Sequence, residues 1–326
     1  MITSATNRTF IESEQYSKFI LENMKDGLLP ENFYRNVSDF GNGETLHIKS
    51  IGEAQIQFVE EDKPVIYTPI ESGEITMKID QYVGDAWYVT DIMRQDGAQI
   101  EVLTAMRAKE ATRALQEYFE TKALDVLYKG AKTAFNTDGT GKINGFCHFG
   151  AASGTGGTVE LKDFIRMKLA FDKAEVPMAG RICIVDPVVG ASLDSKFNAS
   201  YSVDRNPEIM ELLKNGFDRD HQYIMNLFGW NIISSNRLPK ETITTAWKQL
   251  DGSTAGTAGA AVASLFMNIA DDQTKSLMSA WRQQPKVEGD RNKDLARDEY
   301  VTRARFGFGV QRVDTLGVLM SSDSNI

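Results

Sequence analysis

The sequence predicts an α+β protein built from an N-terminal arm, an extended β-ribbon, one long helix, a central α/β subdomain and a set of returning strands. Three observations carry that prediction. From Gln99 to Lys129 there is no Gly and no Pro, and apolar residues recur at helical spacing. Just before it, Leu46 to Ile79 reads as two extended runs either side of a charged break, with no helical segment to pack on. From Val159 to Asp271, short apolar runs alternate with helical ones, as in a compact α/β unit.

The arm comes first. Phe10, Tyr16, Phe19, Ile20 and Met24 suit one face of a short amphipathic helix that Gly27 and Pro30 stop. Arg35 to Thr45 is a turn-rich entry to the ribbon. Its outward leg alternates Leu46, Ile48 and Ser50 with His47, Lys49 and Ile51, then Ile56 and Phe58 with Gln57 and Val59. Glu60, Glu61, Asp62, Lys63 and Pro64 form a charged tip. The return leg runs from Val65 to Ile70 and, past the Ser72-Gly73 turn, through Ile75, Met77 and Ile79. A lone two-stranded ribbon is marginal in water, so something is expected to cover it, either this chain's own body or another molecule.

On the long helix, Ala111, Ala114, Leu115, Tyr118, Phe119, Lys122, Ala123, Val126 and Leu127 define one stripe at i, i+3, i+4, i+7 spacing. The other side mixes both signs of charge, so it reads as a neutral, solvated face. The helix would span roughly 45 Å. The stripe is too rich in Ala, and too poor in repeating Leu or Ile, for a coiled-coil seam. Asn136 to Thr158 is Gly-rich and reads as a mobile surface loop. Beyond it are expected a helix over Val159–Lys173, a buried strand over Ile182–Val185 closed by Asp186-Pro187, a helix opened by Asn206-Pro207, and a strand over Trp230–Ser234. The uncharged stretch from Gly252 to Ala270 holds too much Gly, Ser and Thr to cross a membrane, and a loop leading to a buried strand over Val262–Ile269 fits better. Ser279–Glu288 is extended. In Tyr300–Arg312 the residues Tyr300, Ala304, Phe306, Phe308 and Val310 share one face and Arg303 and Arg305 the other, with Gly307 and Gly309 marking a bulge or close approach. Leu316–Met320 is a last short strand. These closing strands are expected to complete a sheet against the long helix.

Composition bounds the function. The chain of 326 residues is 42% apolar and 25% charged, enough for a sizeable core. Its net charge of −9 argues against nucleic-acid binding by wholesale phosphate neutralisation, though a local basic face remains compatible with it. Cys147 and Cys183 lie in no Cys-x-x-Cys pair and read as free thiols. The N-terminal residues lack the basic start and apolar run of a signal peptide.

The search for chemistry finds little. Gly141-Lys142 is followed by Ile143, and Asn136 stands five residues before Gly141, so the phosphate-loop pattern fails. An α/β enzyme holding a phosphorylated ligand at this loop stays as an alternative. His47, His148 and His221 are scattered. There is no Gly-x-Ser-x-Gly elbow, and the adjacency of Cys147 and His148 is not how a catalytic pair is built. No catalytic residue, metal or cofactor is expected. Arg303 and Arg305 have two readings: contact with a phosphate backbone, or ion pairing with acidic groups such as Asp298 and Glu299 or with a neighbouring subunit.

The order of elements, together with Phe228-Gly229-Trp230-Asn231-Ile232-Ile233-Ser234-Ser235-Asn236-Arg237-Leu238-Pro239 and Ala304-Arg305-Phe306-Gly307-Phe308-Gly309-Val310-Gln311-Arg312, resembles the major capsid proteins of tailed bacteriophages. The resemblance covers most of the chain. It implies the tailed-phage capsid fold: an N-terminal arm over residues 1–44, an extended β-hairpin loop over 45–82, a peripheral domain with a long spine helix and the Gly-rich loop over 83–180, a central axial α/β domain over 181–271, and peripheral return strands over 272–326. It also implies a structural protein that self-assembles as hexamers and pentamers. These would close an icosahedral shell around double-stranded DNA without sequence-specific binding and without a membrane. Scaffolding and portal proteins are implied as partners, with a decoration protein as a further one, and so is a place in the virion capsid after assembly in the host cytoplasm. Encapsulin nanocompartment shells share the fold and form the alternative. The expected subunit contacts are Glu60, Glu61, Asp62, Lys63 and Pro64 at the ribbon tip, and Arg303 and Arg305.

Overall fold

The computed structural model describes residues 33–38, 43–52, 56–59, 64, 67, 69, 72–96, 100–200, 223–244, 247–255 and 258–324. The arm helix, the helix expected after Asn206, His221 and the tip residues Glu60–Lys63 lie outside the described residues. In chain order, the strands and helices are β1 (Tyr34–Asn36), β2 (Thr45–Ile51), β3 (Ser72–Thr90), α1 (Asp91–Asp96), α2 (Ile100–Phe135), β4 (Lys142–Ile143), β5 (Phe146–Cys147), β6 (Phe149–Ala151), α3 (Leu161–Lys173), β7 (Arg181–Val185), α4 (Pro187–Ser200), β8 (Tyr223–Leu227), β9 (Trp230–Ser234), β10 (Lys240–Ile243), β11 (Gly259–Asn268), β12 (Leu277–Asn292), β13 (Arg297–Val310) and β14 (Leu316–Ser322).

Two sheets organise these elements. The first runs β1-β12-β13-β3-β2, antiparallel except where β1 joins β12. The second runs β6-β14-β11-β7-β9-β8, with β10 also paired to β11. The closing strands do meet the long helix: Phe119 of α2 stacks on Trp281 at 5.0 Å between ring centroids and meets Phe306 and Phe308 at 5.1 and 4.7 Å. The same buried cluster continues into β11 and β14 through Leu124, Leu127, Leu265 and Val318, so α2 joins both sheets. The last strand, expected among the peripheral return strands, is hydrogen-bonded between β6 and β11. Its residues Leu316 to Met320 are buried, and a run buried on both faces gives no clue to which sheet it enters.

The helix outruns its expected end at Lys129 by six residues, passing through Gly130 to Phe135. Gly130 is a contact point instead of a stop, since a Cβ there would lie 2.5 Å from Cγ2 of Val310. The apolar stripe holds for Ala111, Leu115, Phe119, Ala123 and Leu127. Ala114 is exposed instead, and Leu124, Tyr128 and Ala131 join the buried side. The charged face is neutral by pairing: Arg113 bridges Glu110 and Glu117 at 2.5 and 3.1 Å, and Lys129 meets Asp125 at 2.7 Å.

Three further expectations change. Asn136–Thr158 is not all surface loop, since Cys147–Ala152 are buried. It contains the β4–β5 pair, and β6 is buried beside β14. Its glycines make tight turns: a Cβ on Gly141 would lie 2.3 Å from the Phe135 backbone, and the Gly141 amide donates to the Phe135 carbonyl at 3.1 Å. Pro187 does more than close β7. It opens α4, where the Asp186 carboxylate accepts from the Val188 amide at 3.1 Å, a side-chain cap followed by proline at the first helical position. Finally, α3 starts two residues later than expected, because Glu160 and Asp163 form a reciprocal capping box.

Candidate functional site

The ribbon begins as part of the first sheet. β2 pairs with β3 from Thr45↔Lys78 to Ile51↔Ser72, and β3 continues to Thr90 against β13. The register slips between Phe306 and Phe308, so two residues of one strand oppose one of its neighbour. The slip lets β3 change the side on which its apolar residues are buried. Beyond it, Val83 packs with the α2 cluster. Before it, Met77 and Ile79 pack with Met278 and Ala280, and Leu46, Ile48 and Ile75 lean on this separate cluster. Gly309 faces that cluster, where a Cβ would lie 3.0 Å from Met77. The base of the ribbon therefore does have something to pack on.

Past the base the pairing ends. Ile56, Phe58 and Val59, expected to continue the outward strand, are not in a strand, nor are Tyr67 and Pro69 of the expected return leg. Ile56 is 99% exposed, Phe58 94% and Tyr67 92%. Pro64 is exposed, and the rest of the charged tip lies outside the described residues.

Arg303 and Arg305 alternate along β13 with the buried Thr302, Ala304 and Phe306, so both point away from α2 and are exposed. The ion pairing expected with Asp298 and Glu299 does not occur. Asp298 is buried and taken by Arg94 at 2.8 Å and Arg291 at 3.0 Å, while Glu299 is held by Arg297 at 2.7 Å. Strand alternation explains this for Asp298, which lies on the opposite face from Arg303, while Glu299 shares that face but is occupied by Arg297. Arg291 also clasps Asp91 at 2.6 Å, and this hydrogen bond holds the Asp91 carboxyl below its ordinary range. The resulting lattice ties α1 to the β12–β13 turn and leaves Ile92, Met93 and Leu295 exposed beside it. The sequence reading missed this group, whose members are about 200 residues apart; only the strand register brings them together. It also missed the link from α2 to the loop after β9, where buried Glu120 accepts from Arg237 and from the Ser235 hydroxyl at 3.0 Å.

No reactive pair emerges at Cys147 and His148. Burial pushes the Cys147 thiol up and the His148 imidazole down, so each favours its neutral form. The His148 ring is stacked between Phe135 and Phe171, and its Nδ1 donates to the Leu316 carbonyl at 3.3 Å. The Gly-rich segment turns its amides inward: Thr140 N–H donates to Asp138 at 3.0 Å and Gly154 N–H to the Thr158 carbonyl at 2.9 Å, which leaves these donors unavailable to a phosphate. Among the described residues no cluster of His, Cys, Asp or Glu has metal-binding geometry, and no helix is long and apolar enough to cross a membrane.

A long helix packed on one sheet, a ribbon whose Ile56, Phe58 and Tyr67 are exposed beyond its paired base, and a second sheet packed on α3 make up the frame of the molecule. The chain belongs to the phage capsid protein family, whose model matches residues 73–321. Its fold is similar to that of a chain of Mycobacterium phage Che8, at 19% identity and a TM-score of 0.56 over 85% of each chain. A chain of the Cyanophage P-SCSP1u capsid is similar over 90% of this chain and 88% of its own, with 14% identity and a TM-score of 0.60. The SrpI encapsulin of Synechococcus elongatus is similar at 10% identity and a TM-score of 0.52, over 88% and 84%. No curated protein matches the sequence.

Proposed function

We propose that this chain, a structural capsid protein of an icosahedral shell, forms the hexamers and pentamers of a tailed-phage capsid and encloses double-stranded DNA. The observation that carries the proposal is the ribbon: a member of the phage capsid family holds Ile56, Phe58, Val59 and Tyr67 in water, and burying such side chains is worth about 2 kcal/mol each. In the assembled shell the ribbon would lie on the neighbouring subunit, with Glu60 to Pro64 as its contact tip. Arg303 and Arg305 would be a second contact. Scaffolding and portal proteins would set the shell size and the DNA entry point, and assembly would take place in the host cytoplasm. A net charge of −9 suits a coat that does not grip its genome.

Expression of the full chain, alone and with any scaffolding protein encoded near it, tests this. Electron microscopy should show closed shells or capsomers, and particles from infected cells should carry nuclease-protected double-stranded DNA. A stable monomer at high concentration under every condition, scaffold included, would sink the proposal. Particles filled with an enzyme and free of DNA would place the chain with the encapsulins.

A further inference from the structure

His148 has no exposed surface. It stands just before β6, at the edge of the second sheet, where two cores meet. Phe135, at the end of α2, belongs to the core on one face of that sheet, and Phe171, near the end of α3, to the core on the other. The His148 ring is stacked on both, at 5.2 and 5.3 Å between ring centroids. Its backbone carbonyl accepts from the Val318 amide at 2.8 Å, and its Nδ1 donates to the Leu316 carbonyl at 3.3 Å, which ties it to β14 as well. Nε2 makes no hydrogen bond of ordinary geometry among the described residues. One side chain thus holds the ends of two helices and the edge of a sheet together, and it does so as a neutral ring.

We infer that His148 is an acid-sensitive pin inside the subunit: a second proton on its ring loosens the hold of β6 and β14 on the ends of α2 and α3. The inference goes beyond the shell reading and does not depend on it. A charge without solvent exposure is costly unless it is paired, and the surrounding elements offer little pairing. Lys132 on α2 is held by Glu241 at 2.5 Å, Asp172 on α3 by Arg181 at 2.7 Å, and Asp314 ahead of β14 by Arg312 at 3.3 Å. Lys173 at the end of α3 is exposed, and Cys147 is buried and neutral. Burial holds the imidazole below its ordinary value of 6.5, against the pull of the Leu316 carbonyl, the Asp314 carboxylate and the Ala170 carbonyl. The folded chain therefore binds this proton less readily than the unfolded one. The stability supplied by the neutral ring is complete above about pH 6.5, falls as the pH drops from there to the folded value, and is gone below it. Asp91 and Glu241 titrate below their ordinary values of 3.8 and 4.5, outside this window. The ring reaches water only if the end of α3 or the β6–β14 edge moves aside, so the proton acts on that joint first.

Titration of the full-length chain tests the inference. Deuterium exchange at the ring carbon of each histidine, followed by mass spectrometry, should show His148 titrating below its ordinary value. Between about pH 7 and pH 5 the unfolding constant should rise by up to about tenfold per pH unit, the limit for one proton. Over the same range amide exchange should quicken in α3 and β14 and stay unchanged where β12 pairs with β13. His148→Asn keeps a donor for the Leu316 carbonyl, and His148→Phe keeps the stack. Neither side chain takes a proton, so both variants should lose the slope with pH, whatever their stability at pH 7, while His47→Gln should retain it. A slope that survives in either His148 variant would overturn the inference, as would acid exchange spread evenly over both sheets. If neither variant folds, the ring titration of the parent decides: a value at or above the ordinary one sinks the inference, and a lower one, with exchange confined to the joint, upholds it.

Discussion

On the long helix, Phe119 has no exposed surface and three aromatic rings within about 5 Å; on the ribbon, Phe58 keeps 94% of its surface in water. The two side chains are chemically the same and lie in segments of similar length. They differ in what the rest of the chain brings to them. Phe119 receives Trp281, Phe306 and Phe308 from more than 160 residues away, while nothing described packs on Phe58. Burial satisfied inside one subunit contributes to folding, and burial left unsatisfied becomes a driving force for association. The helix region should therefore control subunit stability, and the ribbon should control assembly with almost no effect on the isolated subunit.

That contrast can be broken from either side. The largest effect is expected from Phe119→Ala, which should lower subunit stability by about 3–5 kcal/mol in denaturant unfolding, since it opens a cavity where helix and sheet meet. A loss under about 1 kcal/mol would show that the aromatic cluster is not the anchor. Arg237→Ala should cost about 2–3 kcal/mol, because it leaves the Glu120 carboxylate buried with only the Ser235 hydroxyl, and Glu120→Gln in the same chain should recover part of the loss. Gly130→Ala sharpens the comparison through its sign. Helix propensity alone favours Ala by about 1 kcal/mol, but a Cβ 2.5 Å from the stiff Val310 side chain costs about 1–3 kcal/mol, so a net loss is expected and Val310→Ala should relieve it.

A smaller, pH-dependent effect is expected where α2 meets β10. Desolvation acts to raise the Glu241 carboxyl, yet hydrogen bonds from Lys132 and Tyr128 outweigh it and hold the group below its ordinary value of 4.5. A depressed folded value means that stability is fully present above about 4.5 and is lost as the pH falls through the folded value. Glu241→Gln should flatten the thermal midpoint over that acid range and leave its form at neutral pH unchanged. The smallest effect on the subunit belongs to the ribbon. Ile56→Ser with Phe58→Ser should change unfolding by less than about 0.5 kcal/mol while sharply reducing shell yield by sedimentation. A large stability loss there would mean that the ribbon packs on its own subunit.

Much of this architecture could be read before any coordinates. The strands Arg181–Val185, Trp230–Ser234, Gly259–Asn268 and Leu316–Ser322 carry short apolar runs bounded by turn residues, and the long helix carries its own period. The alternation that separates Arg303 and Arg305 from Phe306 was equally plain. What stayed hidden was of another kind. Gly307 marked the bulge between Phe306 and Phe308, but nothing local there reveals its consequence, that β3 buries Met77 and Ile79 in a cluster separate from that of Val83. Gly130 looks like a helix end until Val310 is placed against it. Asp298 looks like a partner for Arg303 until the pleat puts it on the other face, beside Arg94 and Arg291.

Periodicity is written over a few residues, because a helix turn or a strand pleat is closed by neighbours in the chain. Element types, the charged tip and the absence of a catalytic motif are therefore properties of the amino-acid order alone. The burial of Cys147–Ala152 and the place of β14 beside them depend on the pairing of β6 with β14, between residues more than 100 positions apart. Such pairings are selected by mutual burial and hydrogen bonding across the whole core, and no local pattern encodes them.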